Sequence, residues 1–114
     1  MPTPTDSILL RIYIGEAARH GHEPLHEAIV LKAREMHLAG ATVIRGAMGF
    51  GKSSLLHTTK VLRLSDDLPL VIEILDSEEK INAFMRVLEA MMPAGVATLD
   101  KVRTVHFGAA KAAP

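Results

Sequence analysis

Apolar and polar positions alternate with period two over residues 8–14. Ile8, Leu10, Ile12 and Ile14 fall on one face of a predicted strand, and Leu9, Arg11 and Tyr13 on the other. The first face is wholly aliphatic and the second mixes apolar with charged groups. Residues 15–22 read as a polar loop. Pro24 suits the first turn of a helix, where a missing N–H costs nothing. Leu25, Ala28, Ile29, Ala33 and Met36 then recur at helical spacing, with Glu27, Arg34 and Glu35 turned outward and Gly40 as the expected stop. A second strand is predicted over 41–45, running straight into a glycine-rich stretch. Residues 55–60 lack a consistent period, 61–64 pattern as a short strand, and Ser65, Asp66 and Asp67 mark a turn. The clearest β pattern covers 69–75. Asp76 and Glu79 have capping-box spacing, with Ser77 an alternative cap. Ile81, Phe84, Met85, Leu88 and Met92 give a second amphipathic helix, halted by Pro93 and Gly95. A last strand is expected over 101–107. Residues 1–7 read as a disordered leader and 109–114 as a frayed tail, which leaves one domain over 8–108.

The predicted order is βαββαβ, the signature of an α+β ferredoxin-like sandwich in which an antiparallel sheet carries two helices on one face. The other face is left bare. It would carry Leu9, Arg11 and Tyr13, with Val71, Glu73 and Leu75 from the neighbouring strand. Such a mixture is a poor water-facing surface and a reasonable subunit interface, so an oligomer is expected.

Residues 46–54 read GAMGFGKSS. Gly46, Gly51, Lys52 and Ser53 satisfy the phosphate-loop pattern G-x-x-x-x-G-K-[ST]. Glycines let successive N–H groups point at an anion, lysine adds a mobile positive charge, and serine can hold magnesium. A nucleotide-hydrolysing loop also needs a helix behind it and an acidic strand for the metal. Residues 70–76 could supply such a strand, ending in Asp76. Residues 55–60 make a weak helix, and the βα repeats of a doubly wound sheet are absent. Two other readings remain. The glycines form the root of a long loop that binds an anion by the same donor physics, or they only permit a sharp strand exit with Lys52 solvated.

Composition narrows the classes further. The chain has 114 residues, enough for one core. Thirteen basic and thirteen acidic residues leave no global field for nucleic acid or an anionic membrane. With no cysteine there is no disulfide frame or thiolate metal site. No apolar run approaches the roughly 18 residues of a membrane span, and MPTPTDS lacks the regions of a secretory signal. A cytoplasmic protein is expected. His20, His22 and His26 lie close in sequence, and Glu16 and Glu23 could add carboxylates, but solvated loop histidines are the expectation and no metal site is assigned. No catalytic set stands out: Ser53 and Ser54 lack a local base. Asp66, Asp67, Glu78 and Glu79 are explained by a turn and a helix start, and Met85, Met91 and Met92 by packing.

The runs LLRIYIGE, LAGATVIRGAMGFGKSS and LRLSDDLPLVIEILD resemble a family of small uncharacterised proteins related to the PII signalling proteins, over about residues 9–107. The resemblance implies a ferredoxin-like homotrimer with an extended T-loop between the second and third strands, here about 48–62. In PII proteins nucleotides bind in clefts between subunits, and the loop docks a membrane transporter or an enzyme according to the ligand held. PII proteins also carry a second glycine–lysine loop before the last strand. This chain has MPAGVATLDK there, so ATP binding is not inherited with the fold. The expected function is that of a non-enzymatic regulator sensing a small anion, a nucleotide or another. Gly46, Gly49 and Gly51 would give backbone donors and hinge freedom, Lys52 would attract the anion, and Ser53 and Ser54 would donate hydrogen bonds. Arg45 would reach the cleft or pair with Glu73. Part of the loop is expected to be mobile without ligand or partner, or to be ordered mainly by contacts with another subunit. A small phosphate-loop enzyme using ATP or GTP is the alternative.

Overall fold

The alternation at the start of the chain becomes a strand over Thr5–Gly15 (β1) in the computed structural model, which describes residues 2–49, 57–58 and 68–108. A helix over Leu25–Glu35 (α1) leads to Ala41–Arg45 (β2). Pro69–Asp76 (β3), the helix Glu78–Met91 (α2) and the strand Val96–Thr104 (β4) complete the order. The four strands form one antiparallel sheet in the order β2-β3-β1-β4, the ferredoxin-like arrangement expected from the pattern.

Leu10, Ile12, Ile72 and Ile74 are fully buried against Ile29 of α1 and Ile81 and Phe84 of α2. Leu25, Ala28 and Ala33 complete the apolar stripe of α1, and Leu88 and Met91 that of α2. Deep burial of a Leu or Ile side chain contributes about 1.5–3 kcal/mol, so this layer supplies most of the drive to fold.

Across the sheet, register places directly opposed residues on one face. Val71 lies opposite both Tyr13 and Ile44, and Tyr13 opposite Val96, so Ile44, Val71, Tyr13 and Val96 form an apolar row spanning all four strands on the side away from the helices. The next row is polar: Thr42, Glu73, Arg11 and Thr98. Arg11 Nε donates to Glu73 Oε2 at 3.1 Å and Nη1 to Asp100 Oδ2 at 2.8 Å. The Glu73 hydrogen bond is the chief cause that raises the Arg11 pKa above its ordinary value. The outer face is therefore the mixed surface that the pattern foretold.

Four local expectations are corrected. β1 begins at Thr5, inside the supposed leader, because Thr5, Asp6 and Ser7 pair with Thr104, Arg103 and Val102. β4 begins at Val96 rather than residue 101. It is an edge strand whose side chains are mostly exposed, so burial imposes no alternation on its sequence. α1 stops at Glu35, well before Gly40. Leu38 N–H donates to Ala33 O and His37 N–H to Arg34 O, a Schellman closure with His37 at φ 62° in the position glycine usually takes. The cap of α2 is Ser77, whose Oγ accepts from Lys80 N–H at 3.3 Å. Asp76 instead receives Ala39 N–H at 2.8 Å, and Lys80 Nζ reaches His37 O at 2.8 Å, so the end of α1 is tied to the start of α2.

Candidate functional site at the root of the loop

The loop between β2 and β3 leaves the sheet at its β3 start, where two strand exits converge. The exit of β1 is fixed by Glu16 N–H donating to Leu68 O at 2.8 Å, and the exit of β2 by Gly46 N–H donating to Pro69 O at 2.7 Å. Glycine is required at position 46 by crowding: a Cβ there would stand 2.9 Å from Pro69 Cγ. At Gly49 the same approach would be 3.2 Å. Neither glycine has a positive φ. The Gly46 N–H is thus bonded to Pro69, and both glycines pack closely on that ring.

Beyond the exits, Met48–Gly49 pairs antiparallel with the backbone of His57–Thr58. A phosphate-loop helix starting near Lys52 would place residues 57 and 58 in its second turn. Their extended pairing and the antiparallel sheet do not fit the strand–loop–helix frame that such a loop needs. Gly51, Lys52, Ser53 and Ser54, and the weak period of 55–60, the strand at 61–64 and the turn at 65–67, otherwise lie outside the described residues.

Arg45 is placed by β2 at this root, and it does not pair with Glu73, which is held by Arg11. Its Nη2 instead donates to Glu16 Oε2. The Arg45 side chain is 60% exposed and that of Glu16 26%, so the arginine is the more accessible of the two. The sequence offered Glu16 only as a carboxylate beside the histidines and Pro69 only as a strand start, and gave neither a place at this root. The strand order would have revealed them, because it sets the ends of β1 and β2 on either side of the start of β3.

Among the described residues the histidines do not gather into a metal-holding group. His20 pairs across a tight ribbon with Glu23, His26 lies in the first turn of α1 with its Nδ1 buried and unbonded, and His106 follows β4. Among the described residues no group of three histidine, aspartate or glutamate side chains is placed to hold a metal. Two grooves occur away from the root. One of ≈ 260 Å³ lies between β1, β4 and the start of α2, bordered by Asp6, Glu78, Lys101 and Arg103. The other, ≈ 460 Å³, runs between the helices beside Leu31. No described helix is long and apolar enough to cross a membrane.

Residues 7–104 match the DUF190 family, described as an uncharacterized ACR. A UPF0166 protein of Aquifex aeolicus (strain VF5) is 35% identical over 99 residues, covering 87% of this chain and 93% of its own. A UPF0166 protein of Methanocaldococcus jannaschii is 34% identical over 74 residues, covering 65% of this chain and 68% of its own. In fold the chain is similar to CPII, a nitrogen regulatory PII-like protein from Thiomonas intermedia K12 solved bound to ADP, AMP and bicarbonate. That likeness has a TM-score of 0.72 at 14% identity, covering 93% of this chain and 94% of that one. A PII-like protein from Thermus thermophilus gives a TM-score of 0.63 at 20% identity, over 90% and 92% of the two chains. The expected PII resemblance and the ferredoxin-like fold are both borne out, and the chain belongs to the DUF190 (UPF0166) family.

Proposed function

We propose that this protein is a non-enzymatic regulator of PII type that senses a small anion, a nucleotide or bicarbonate being the first choices, at the boundary between subunits of a homotrimer. In this reading it works in the cytoplasm, and residues 48–62 dock a partner protein, a membrane transporter or an enzyme, according to the ligand held. Arg45 takes the anion together with Lys52, Ser53 and Ser54, and the Gly46–Pro69 packing holds the root still. The observation that carries the reading is one of position. The root with its exposed Arg45 lies beside Ile44, at the end of the apolar row that no described element covers. Closing that row with further copies puts the root at a subunit boundary. The similar fold of CPII, a protein solved with ADP, AMP and bicarbonate, supports the choice of ligands.

The test is thermal unfolding with ADP, AMP, ATP, bicarbonate and phosphate, combined with a mass measurement. A true ligand at ~100 times its Kd stabilises the protein by about 2.7 kcal/mol. Stabilisation without turnover, weakened in Lys52→Ala, is expected. Steady magnesium-dependent ATP or GTP hydrolysis lost in Lys52→Ala would restore the phosphate-loop enzyme. Stabilisation by none of these anions would remove the sensing role.

A further inference from the structure

We infer that Glu16 is a built-in competitor for the anion at Arg45, so that ligand binding begins by exchanging one carboxylate for another negative group. The inference rests on the reading of Arg45 as an anion-binding residue. Its geometry is independent of that reading. Arg45 and Glu16 leave different strands, β2 and β1, yet their exits are fastened to adjacent residues of the chain. Leu68 O receives the Glu16 N–H and Pro69 O the Gly46 N–H. The two side chains therefore face each other from backbones that have little freedom to separate, and Pro69 wedged against Gly46 and Gly49 holds the β2 side in place. The contact uses Nη2 of the guanidinium. A phosphate or carboxylate that seeks the paired donors of an arginine must share or take over that edge.

Charge makes the same point. With Glu16 in contact, Arg45 and its neighbour sum to zero, so the root attracts a distant anion weakly. When an anion displaces the carboxylate, Glu16 must find water or another donor. As the less exposed of the pair, Glu16 has to gain solvent contact in that exchange. The root then has two states, closed on its own carboxylate or open on the ligand, and the ligand shifts their balance through its preference for the open one.

The probes are ADP and inorganic phosphate, titrated by calorimetry into the full-length wild type and into Glu16→Gln, Glu16→Ala, Arg45→Gln and the double variant Glu16→Gln/Arg45→Gln. Exposed ion pairs are weak, so removing the competing charge should tighten binding by about two- to five-fold in both Glu16 variants. The gain should shrink at high ionic strength, where the pair is screened already. It should vanish in the Arg45→Gln background. Equal or weaker binding in Glu16→Gln and Glu16→Ala, with the wild type still binding ADP or phosphate, would overturn the inference and leave the sensing role standing; it would mean that Glu16 orients Arg45. Binding of neither probe by any variant would overturn the inference, while the sensing role stands or falls with the full set of anions named above. Unfolding curves for each variant separate these results from loss of fold, and Glu16→Gln keeps an amide oxygen for Arg45 if Glu16→Ala proves unstable.

Discussion

Ile12 and Tyr13 are neighbours in the chain and leave β1 in opposite directions. Ile12 is completely buried between the sheet and the helices, whereas Tyr13 is 40% exposed in the middle of the outer apolar row. The same contrast repeats in β3, where Ile72 is buried and Val71 lies beside Tyr13. Over β1 and β3 the inner face is aliphatic and covered within one chain, whereas on β4 Leu99, which lies opposite Leu10, is still 48% exposed. The outer face sets an apolar row against a row containing the Arg11–Glu73 pair, and it is finished only if something else covers it. Residues of one kind specify the fold, and those of the other specify what the folded chain meets.

The largest effect should come from the inner face. Ile72→Ala removes a fully buried side chain at the centre of the sheet and should cost about 2–5 kcal/mol in chemical unfolding. The loss should be the same at every protein concentration. If it grew on dilution, the inner face would not be finished within one chain and the contrast would break.

The outer face should answer differently. Tyr13→Asp places a carboxylate in the apolar row and should reduce the mass by light scattering towards the 12.3 kDa of one chain, with the secondary structure kept. Its melting temperature should lose any dependence on concentration. An unchanged mass, whether of one chain or of several, would show that the row is not a contact between copies.

Gly46→Ala tests the root that lies between the two regimes. Its Cβ must displace Pro69, whose own backbone carries the Gly46 hydrogen bond, so about 1–3 kcal/mol should be lost. Gly49→Ala should cost less, since only the outer atoms of the ring approach it and at 3.2 Å. If Gly46→Ala left stability intact but abolished ligand stabilisation, the glycine would serve the ligand rather than the packing.

The fold was legible because the inner face is periodic. Leu10 and Ile12, or Ile81, Phe84 and Leu88, are spaced by the element that buries them. The start of β4 escaped because an edge strand has no side that must be apolar throughout, and Thr5 to Ser7 escaped because a polar strand end looks like a leader. The mixed outer face was read correctly from Leu9, Arg11 and Tyr13, since charge among apolar residues is itself a pattern. The candidate site was only half legible. The motif named Gly46 and the family resemblance added Arg45, but the residues that act on them, Glu16 and Pro69, are distant in sequence and come into contact only through strand order. A motif also reports which residues are present and not which groups are already bonded. The Gly46 N–H, counted as a donor for an anion, is held by Pro69.

The smallest expected effect concerns the turn after α1. His37 has φ 62°, a conformation in which an L side chain crowds its own backbone at a cost of about 1–2 kcal/mol. Glycine is the usual residue at this place in a Schellman closure. His37→Gly should therefore relieve the strain, less the greater freedom it gives the unfolded chain, for a net gain under about 1 kcal/mol. The bonds that define the turn are all main-chain at this residue: His37 N–H to Arg34 O, and His37 O receiving Lys80 Nζ. None should be lost. For a domain of this size the gain amounts to a rise of a few degrees in Tm. Because the turn belongs to the side finished within one chain, the rise should be equal at low and high protein concentration. A fall in Tm would mean that the imidazole makes a stabilising contact outweighing the strain of the turn.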